Sequence, residues 1–204
     1  MRVTDVRVGR IWTHVSVRGP ASGGERCPLA HQPPTTACSG CHALGVIPPR
    51  LRPLLGRDLS SVRAEHLERL VGLTEDEDLD VKVAVPPLGS DSERRKLVSD
   101  IAAFANRAGG LIVIGMAEDA QARITDLRPV SLLGTELETR LQQAVASAVR
   151  PPALFRVQPV LNSDGLTGFF LIAMPPSANA PHAVIVKRGL AVVFPCGGAR
   201  RRST

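Results

Sequence analysis

The fold is decided by residues 101–119, which read Ile101-Ala102-Ala103-Phe104-Ala105-Asn106-Arg107-Ala108-Gly109-Gly110-Leu111-Ile112-Val113-Ile114-Gly115-Met116-Ala117-Glu118-Asp119. With Leu97 upstream, Ile101 and Phe104 fall three or four apart, the spacing of the inner stripe of a helix. Asp91 or Ser92 is a candidate N-cap, and the helix is expected to run to about Arg107. Ala108-Gly109-Gly110 ends it, because glycine tolerates the left-handed C-cap conformation. Leu111 to Met116 has no polar residue at all, as expected of a strand covered on both faces. A helix therefore feeds a central strand.

Outward from this unit, Leu79-Asp80-Val81-Lys82-Val83 alternates, with Leu79, Val81 and Val83 on one face and Asp80 and Lys82 on the other. Pro86-Pro87-Leu88-Gly89 breaks that strand. Earlier, Ser60-Ser61 offers an N-cap for a helix through Leu67, Leu70 and Val71, ending at Gly72. Later, Thr135-Glu136-Leu137-Glu138 has capping-box spacing and opens a helix that Pro151-Pro152 stops. Strands are expected near 154–160, 168–174, 183–186 and 191–194, with a turn at Asn162-Ser163-Asp164-Gly165. The order predicts an α+β domain over 58–195, with a single mixed β-sheet and about three helices. Residues 1–57 read as a disordered Arg/Pro/Gly-rich segment with at most one short strand from Val3, Val6, Val8 and Ile11. Residues 196–204 read as a basic tail.

The chain has 204 residues and a net charge of +6. Residues 1–57 hold eight arginines against two acids, so they carry the entire excess. Residues 58–195 hold 14 basic and 17 acidic residues, so the globular part is slightly acidic. Overall charge thus gives no support to a nucleic-acid surface, which ordinarily rests on a basic face. No apolar run reaches the ~18 residues of a membrane helix, and no apolar stretch follows the N-terminal arginines as in a secretory signal. A cytoplasmic protein without a membrane partner is expected, its four cysteines being thiols or ligands rather than disulfides.

Two clusters carry candidate chemistry. Glu75, Asp80 and Glu118 with Lys82 supply three carboxylates and an ammonium, an inventory that suits Mg²⁺ or Mn²⁺ and a phosphoryl substrate. Each acid also reads simply as a solvated group. A standard crossover makes the strands at 79–84 and 111–116 parallel and puts Asp80 and Glu118 at opposite ends of the sheet; the two meet only if the strands are antiparallel. The second cluster, Cys27, His31, Cys38 and Cys41, is a four-ligand set for Zn²⁺ or an incidental pair of thiols. Gly109-Gly110 closes a helix rather than opening one, so it is no phosphate loop. Neither His66 nor His182 has a nucleophile partner. The five Phe fall in core positions, which argues against base-stacking platforms.

Glu75…Asp80-Val81-Lys82, followed by Ala103-Phe104-Ala105-Asn106…Gly109-Gly110 and an apolar strand ending in Gly115 and Glu118-Asp119, resembles the Schlafen AlbA-type domain over roughly residues 59–200. The resemblance implies a DNA-binding module of the kind described in bacterial regulators. Animal Schlafen relatives use the equivalent acids as an RNA endonuclease site, which would map onto Glu75, Asp80 and Glu118, with Asp119 as substitute. Asp80 stands where the family usually has Glu, and Val81 replaces an aromatic.

Three functional readings follow. The first is a non-catalytic domain that binds DNA or RNA through Arg94, Arg95, Lys96, Arg107, Lys187 and Arg188. The second is a truncated interaction module that forms a homo-oligomer. The third is a divalent-metal nuclease using Glu75, Asp80, Lys82 and Glu118. Asn106 is expected to bond neighbouring backbone rather than a ligand.

Overall fold

The computed structural model describes residues 4–8, 11–15, 47–133, 136–186 and 189–195. Its strands are β1 (Thr4–Val8), β2 (Ile11–Val15), β3 (Leu79–Lys82), β4 (Gly110–Ile114), β5 (Met116–Glu118) and β6 (Ile124–Leu127). They continue with β7 (Val130–Ser131), β8 (Val149–Arg150), β9 (Arg156–Leu161), β10 (Thr167–Met174), β11 (Ala183–Val186) and β12 (Gly189–Pro195). Two helices are a single turn, α1 (Arg52–Leu55) and α2 (Ala64–Leu67); α3 (Asp91–Ala105) and α4 (Leu137–Ala148) are long.

The class is α+β with a mixed sheet. β3 and β4 are parallel, while β10 is antiparallel to β4, β7 and β9. The strands expected in one sheet are divided: a second five-stranded sheet runs β1-β2-β12-β11-β8, and β5 with β6 forms a separate ribbon. The division follows from burial. Ile112 and Ile114 of β4, with Phe170 and Ile172 of β10, pack with Leu97, Ile101 and Phe104 of α3, Leu141 and Val145 of α4, and Val184 and Val193 of the second sheet. α3 is thus apolar toward two sheets at once. On the other face of the main sheet, Leu111, Val113, Phe169 and Leu171 pack with Leu79 and Val81.

That second core also takes in Ile47, Leu51, Leu55 and Leu59, each at most 1% exposed. Residues 47–57, placed by the sequence in a disordered segment, are therefore part of the packed structure: a 3-10 turn at Pro49–Leu51 leads into α1. Proline is tolerated at the first helical position, and burying each of these side chains contributes about 2 kcal/mol. The single N-terminal strand is likewise a hairpin of two, with β2 paired to β12.

Local expectations fare unevenly. The helix ending at Gly72 is three short pieces, with Asp58 rather than Ser60 or Ser61 accepting from a backbone amide at its start. α3 begins after Ser90, and no side chain caps it. Gly109 does adopt the left-handed conformation, at φ +82°, and its amide donates to Phe104 O at 3.0 Å. A Cβ on Gly109 would lie 2.5 Å from Met174 O, and one on Gly110 would enter the Phe104 ring. The Gly-Gly pair is required on both conformational and packing grounds. At the turn, Asp164 Oδ1 accepts from Leu166 N and Thr167 N, both at 2.9 Å.

Candidate functional site

β4 ends at Gly115, whose φ of +107° turns the chain out of the main sheet. Gly115 N donates to Lys82 O at 2.7 Å, and Arg128 N donates back to Gly115 O at 2.6 Å. The β5–β6 ribbon therefore folds over and meets the segment before β3: Gly72 N bonds Ile124 O, Ile124 N bonds Leu73 O and Glu75 N bonds Ala122 O. This ribbon delivers Glu118 to Glu75, and the two carboxyl groups are hydrogen-bonded. The strands are parallel, as a crossover requires, yet Glu118 reaches Glu75 because the chain reverses at a glycine.

Glu75 is 8% exposed. Burial first, then the charge on Asp80 and the bond to Glu118, push its pKa up to about 9 against the pull of the Val81 amide. Glu75 is thus held in its protonated form, chiefly by burial and the nearby Asp80 charge. Its Oε1 accepts from Val81 N at 2.7 Å. β3 borders its sheet, so this bond occupies a main-chain donor that β4 does not use.

Asp80 and Lys82 register with Ile112 and Ile114 and lie on the α3 side. There Lys82 Nζ stands 2.7 Å from Asp80 Oδ2 and 2.9 Å from Asp100 Oδ2, all three side chains being only 16–25% exposed. Asp100, from α3, was not among the residues the sequence singled out. Burial opposes the Lys82 charge, but Asp100 and Asp80 outweigh it and hold the ammonium above its usual range. For Asp100, burial raises the carboxyl and Lys82 pulls it down, with a net rise. Lys82 is enclosed by two acids of its own chain rather than presented to an incoming phosphate.

Glu75 therefore lies near both Asp80 and Glu118, and Asp80 is ion-paired to Lys82. Among the described residues no group of three His, Cys, Asp or Glu is disposed to hold a metal ion. Cys27, His31, Cys38 and Cys41 lie outside the described residues, as do Lys187 and Arg188.

The remaining basic candidates fall into two kinds. Arg94 pairs with Asp91 at 2.6 Å and Lys96 with Glu93 at 2.7 Å, both within the exposed first turns of α3, and Arg95 Nε reaches Asp91 O at 3.3 Å. Arg107, just past α3, instead crosses to Glu77 at 2.5 Å. Beside it Arg50, which the sequence did not flag, donates to Asp78 from Nε at 2.8 Å and from Nη2 at 2.5 Å. Asn106 has the backbone role expected of it: Nδ2 donates to His182 O at 2.9 Å and Val193 O at 2.8 Å, and Oδ1 accepts from His182 N at 2.5 Å. It fastens the end of α3 to β12 and the residue before β11. His182, 1% exposed, places Nδ1 2.7 Å from Pro151 O.

These features define a class: a small α+β domain with a crossover helix held between two sheets, an Asn-x-x-Gly-Gly helix end and an acid-lined corner. The family description "Schlafen, AlbA_2" matches residues 75–193. The chain belongs to that family. No match is found among curated proteins. Among solved structures, the N-terminal domain of a RecG-related protein from Nitrosomonas europaea is 19% identical with a TM-score of 0.48, over 69% of this chain and 92% of that one. The DIP2311 protein from Corynebacterium diphtheriae is 18% identical with a TM-score of 0.33, over 63% of this chain and 29% of that one. No described helix is long and apolar enough to cross a membrane.

Proposed function

We propose that the chain is a nucleic-acid-binding domain that performs no chemistry on its ligand. The observation that carries this reading is family membership across residues 75–193. The site geometry favours binding over catalysis. Glu75 is engaged by Glu118 and Val81, and Asp80 is ion-paired to Lys82, although Asp80 Oδ2 has no hydrogen-bond partner among the described residues. Because residues 58–195 carry more acid than base, binding must rest on a local basic surface and not on overall charge. Backbone-phosphate contacts by arginine and lysine give affinity that is sequence-poor and steeply salt-dependent.

Fluorescence anisotropy of labelled DNA and RNA, single-stranded and duplex, tests this at low and high salt. Binding that weakens with salt is the expected result. An affinity indifferent to salt, or none at low salt, rejects it.

A further inference from the structure

Arg50 and Arg107 differ from Arg94 and Lys96 in what neutralises them. Arg94 and Lys96 find their acids three residues away on their own helix. Arg50 and Arg107 come from elements on opposite sides of β3 in sequence and converge on two adjacent acids, Asp78 and Glu77. The acids sit on a fixed turn: Asp76 and Leu79 exchange both backbone hydrogen bonds at 3.2 Å, and Asp78 O accepts from Leu111 N at 2.9 Å. The arginines are 39% and 40% exposed in their side chains, and Glu77 is 47% exposed.

A guanidinium bonded to a carboxylate uses the same donors that it would use on the oxygens of a phosphodiester. The Arg107–Glu77 pair, exposed on both sides, contributes little to stability, typically about 0–1 kcal/mol, so exchanging its carboxylate for a phosphate costs little; Asp78, 20% exposed, holds Arg50 more firmly. What can swing is the long arginine side chain, while the acid-bearing turn stays with the sheet.

We propose that Glu77 and Asp78 act as internal stand-ins for phosphate, occupying Arg50 and Arg107 until a nucleic-acid backbone displaces them. The inference rests on the nucleic-acid-binding reading and names its contact surface together with a built-in restraint. That surface is the rim formed by the turn before β3, the 3-10 turn at Pro49–Leu51 and the end of α3. The restraint suits a domain whose net charge is otherwise unfavourable, because weak or isolated anions do not outcompete two carboxylates held in place.

The test is anisotropy titration of the full chain with labelled single-stranded and duplex DNA and RNA, comparing wild type with E77Q/D78N and R50Q/R107Q. Removing both acids is expected to tighten binding by about tenfold and to steepen its salt dependence by up to two phosphate contacts, a slope change of roughly 0.9 per contact. R50Q/R107Q is expected to weaken binding and flatten the slope by the same measure. A purely structural pair of ties would instead lower the thermal midpoint of both variants with no gain in affinity for E77Q/D78N. That outcome overturns the inference, as does E77Q/D78N binding like wild type. The more exposed single variant E77Q, expected to tighten binding several-fold, keeps the test decisive if the Asp78 substitution impairs folding. Salt-sensitive binding by wild type with unaltered acid variants sinks this inference alone. No binding by any variant sinks the nucleic-acid reading itself.

Discussion

The reversal at Gly115 brings Glu118 into a hydrogen bond with Glu75, and burial, the charge on Asp80 and this bond together raise the Glu75 pKa to about 9. The native state keeps the Glu75 proton at pH values where the unfolded chain, titrating near 4.5, has released it. Its contribution is fully present below that pH and is lost as pH climbs toward about 9. Stability measured by urea unfolding is therefore expected to decline with rising pH across this window. E75Q mimics the protonated form, keeping the bonds to Val81 and Glu118, and should flatten most of the decline. Asp100, also raised by burial, adds a decline of the same sign over a narrower pH range, which E75Q leaves in place. A variant retaining the full wild-type slope would count against the raised Glu75 pKa.

Lys82 neutralises two acids at once. K82M leaves Asp80 and Asp100 facing each other in a half-buried setting, and removing one partner of such a cluster typically costs about 3 kcal/mol or more. D100N removes one excess charge while keeping the side chain's shape, and a change within about 1 kcal/mol is expected. Thermal melts of the two variants check this order; K82M as stable as wild type would show that the triad is slack.

Asn106 satisfies three backbone groups, His182 N, His182 O and Val193 O. N106A strands them at a part-buried junction. At about 1–3 kcal/mol for each buried group left unpaired, a loss of at least 3 kcal/mol is expected in denaturant unfolding. N106D keeps the acceptor but not the donors and should fall between. Equal stability of all three proteins would exclude the fastening role.

Gly109 and Gly110 answer to different constraints. G110A drives a Cβ into the buried Phe104 ring at Cδ1 and Cγ, so overpacking of about 1–3 kcal/mol is expected. G109A meets main-chain Met174 O and also places a Cβ at φ +82°, so it should be the more damaging. The ranking of the two midpoints is the measurement.

Much of this was legible in the sequence because local chemistry fixed it. The αL glycine, the apolar β4 and the Asn106 contacts all follow from spacing and side-chain type between Leu97 and Ile114. What escaped reading depended on tertiary context. Gly115 stood inside an apolar run, a known mark of a bend, yet nothing in the run told which way the ribbon would turn, and so the placement of Glu118 was left conditional on the strand pairing. Asp100 sat between Leu97 and Ile101 on the inner arc of α3, where an acid needs a partner. That was a usable signal, and Lys82 was its answer. Ile47, Leu51 and Leu55 kept helical spacing through Pro48, Pro49 and Pro53, but the prolines and arginines around them outweighed it.

The bond from the Val81 amide to Glu75 has an effect beyond its own energy. An outermost strand with vacant main-chain donors is a template on which a foreign strand can dock and polymerise. A carboxyl group already seated on β3 denies that foothold, so the lateral growth of the sheet stops at Glu75.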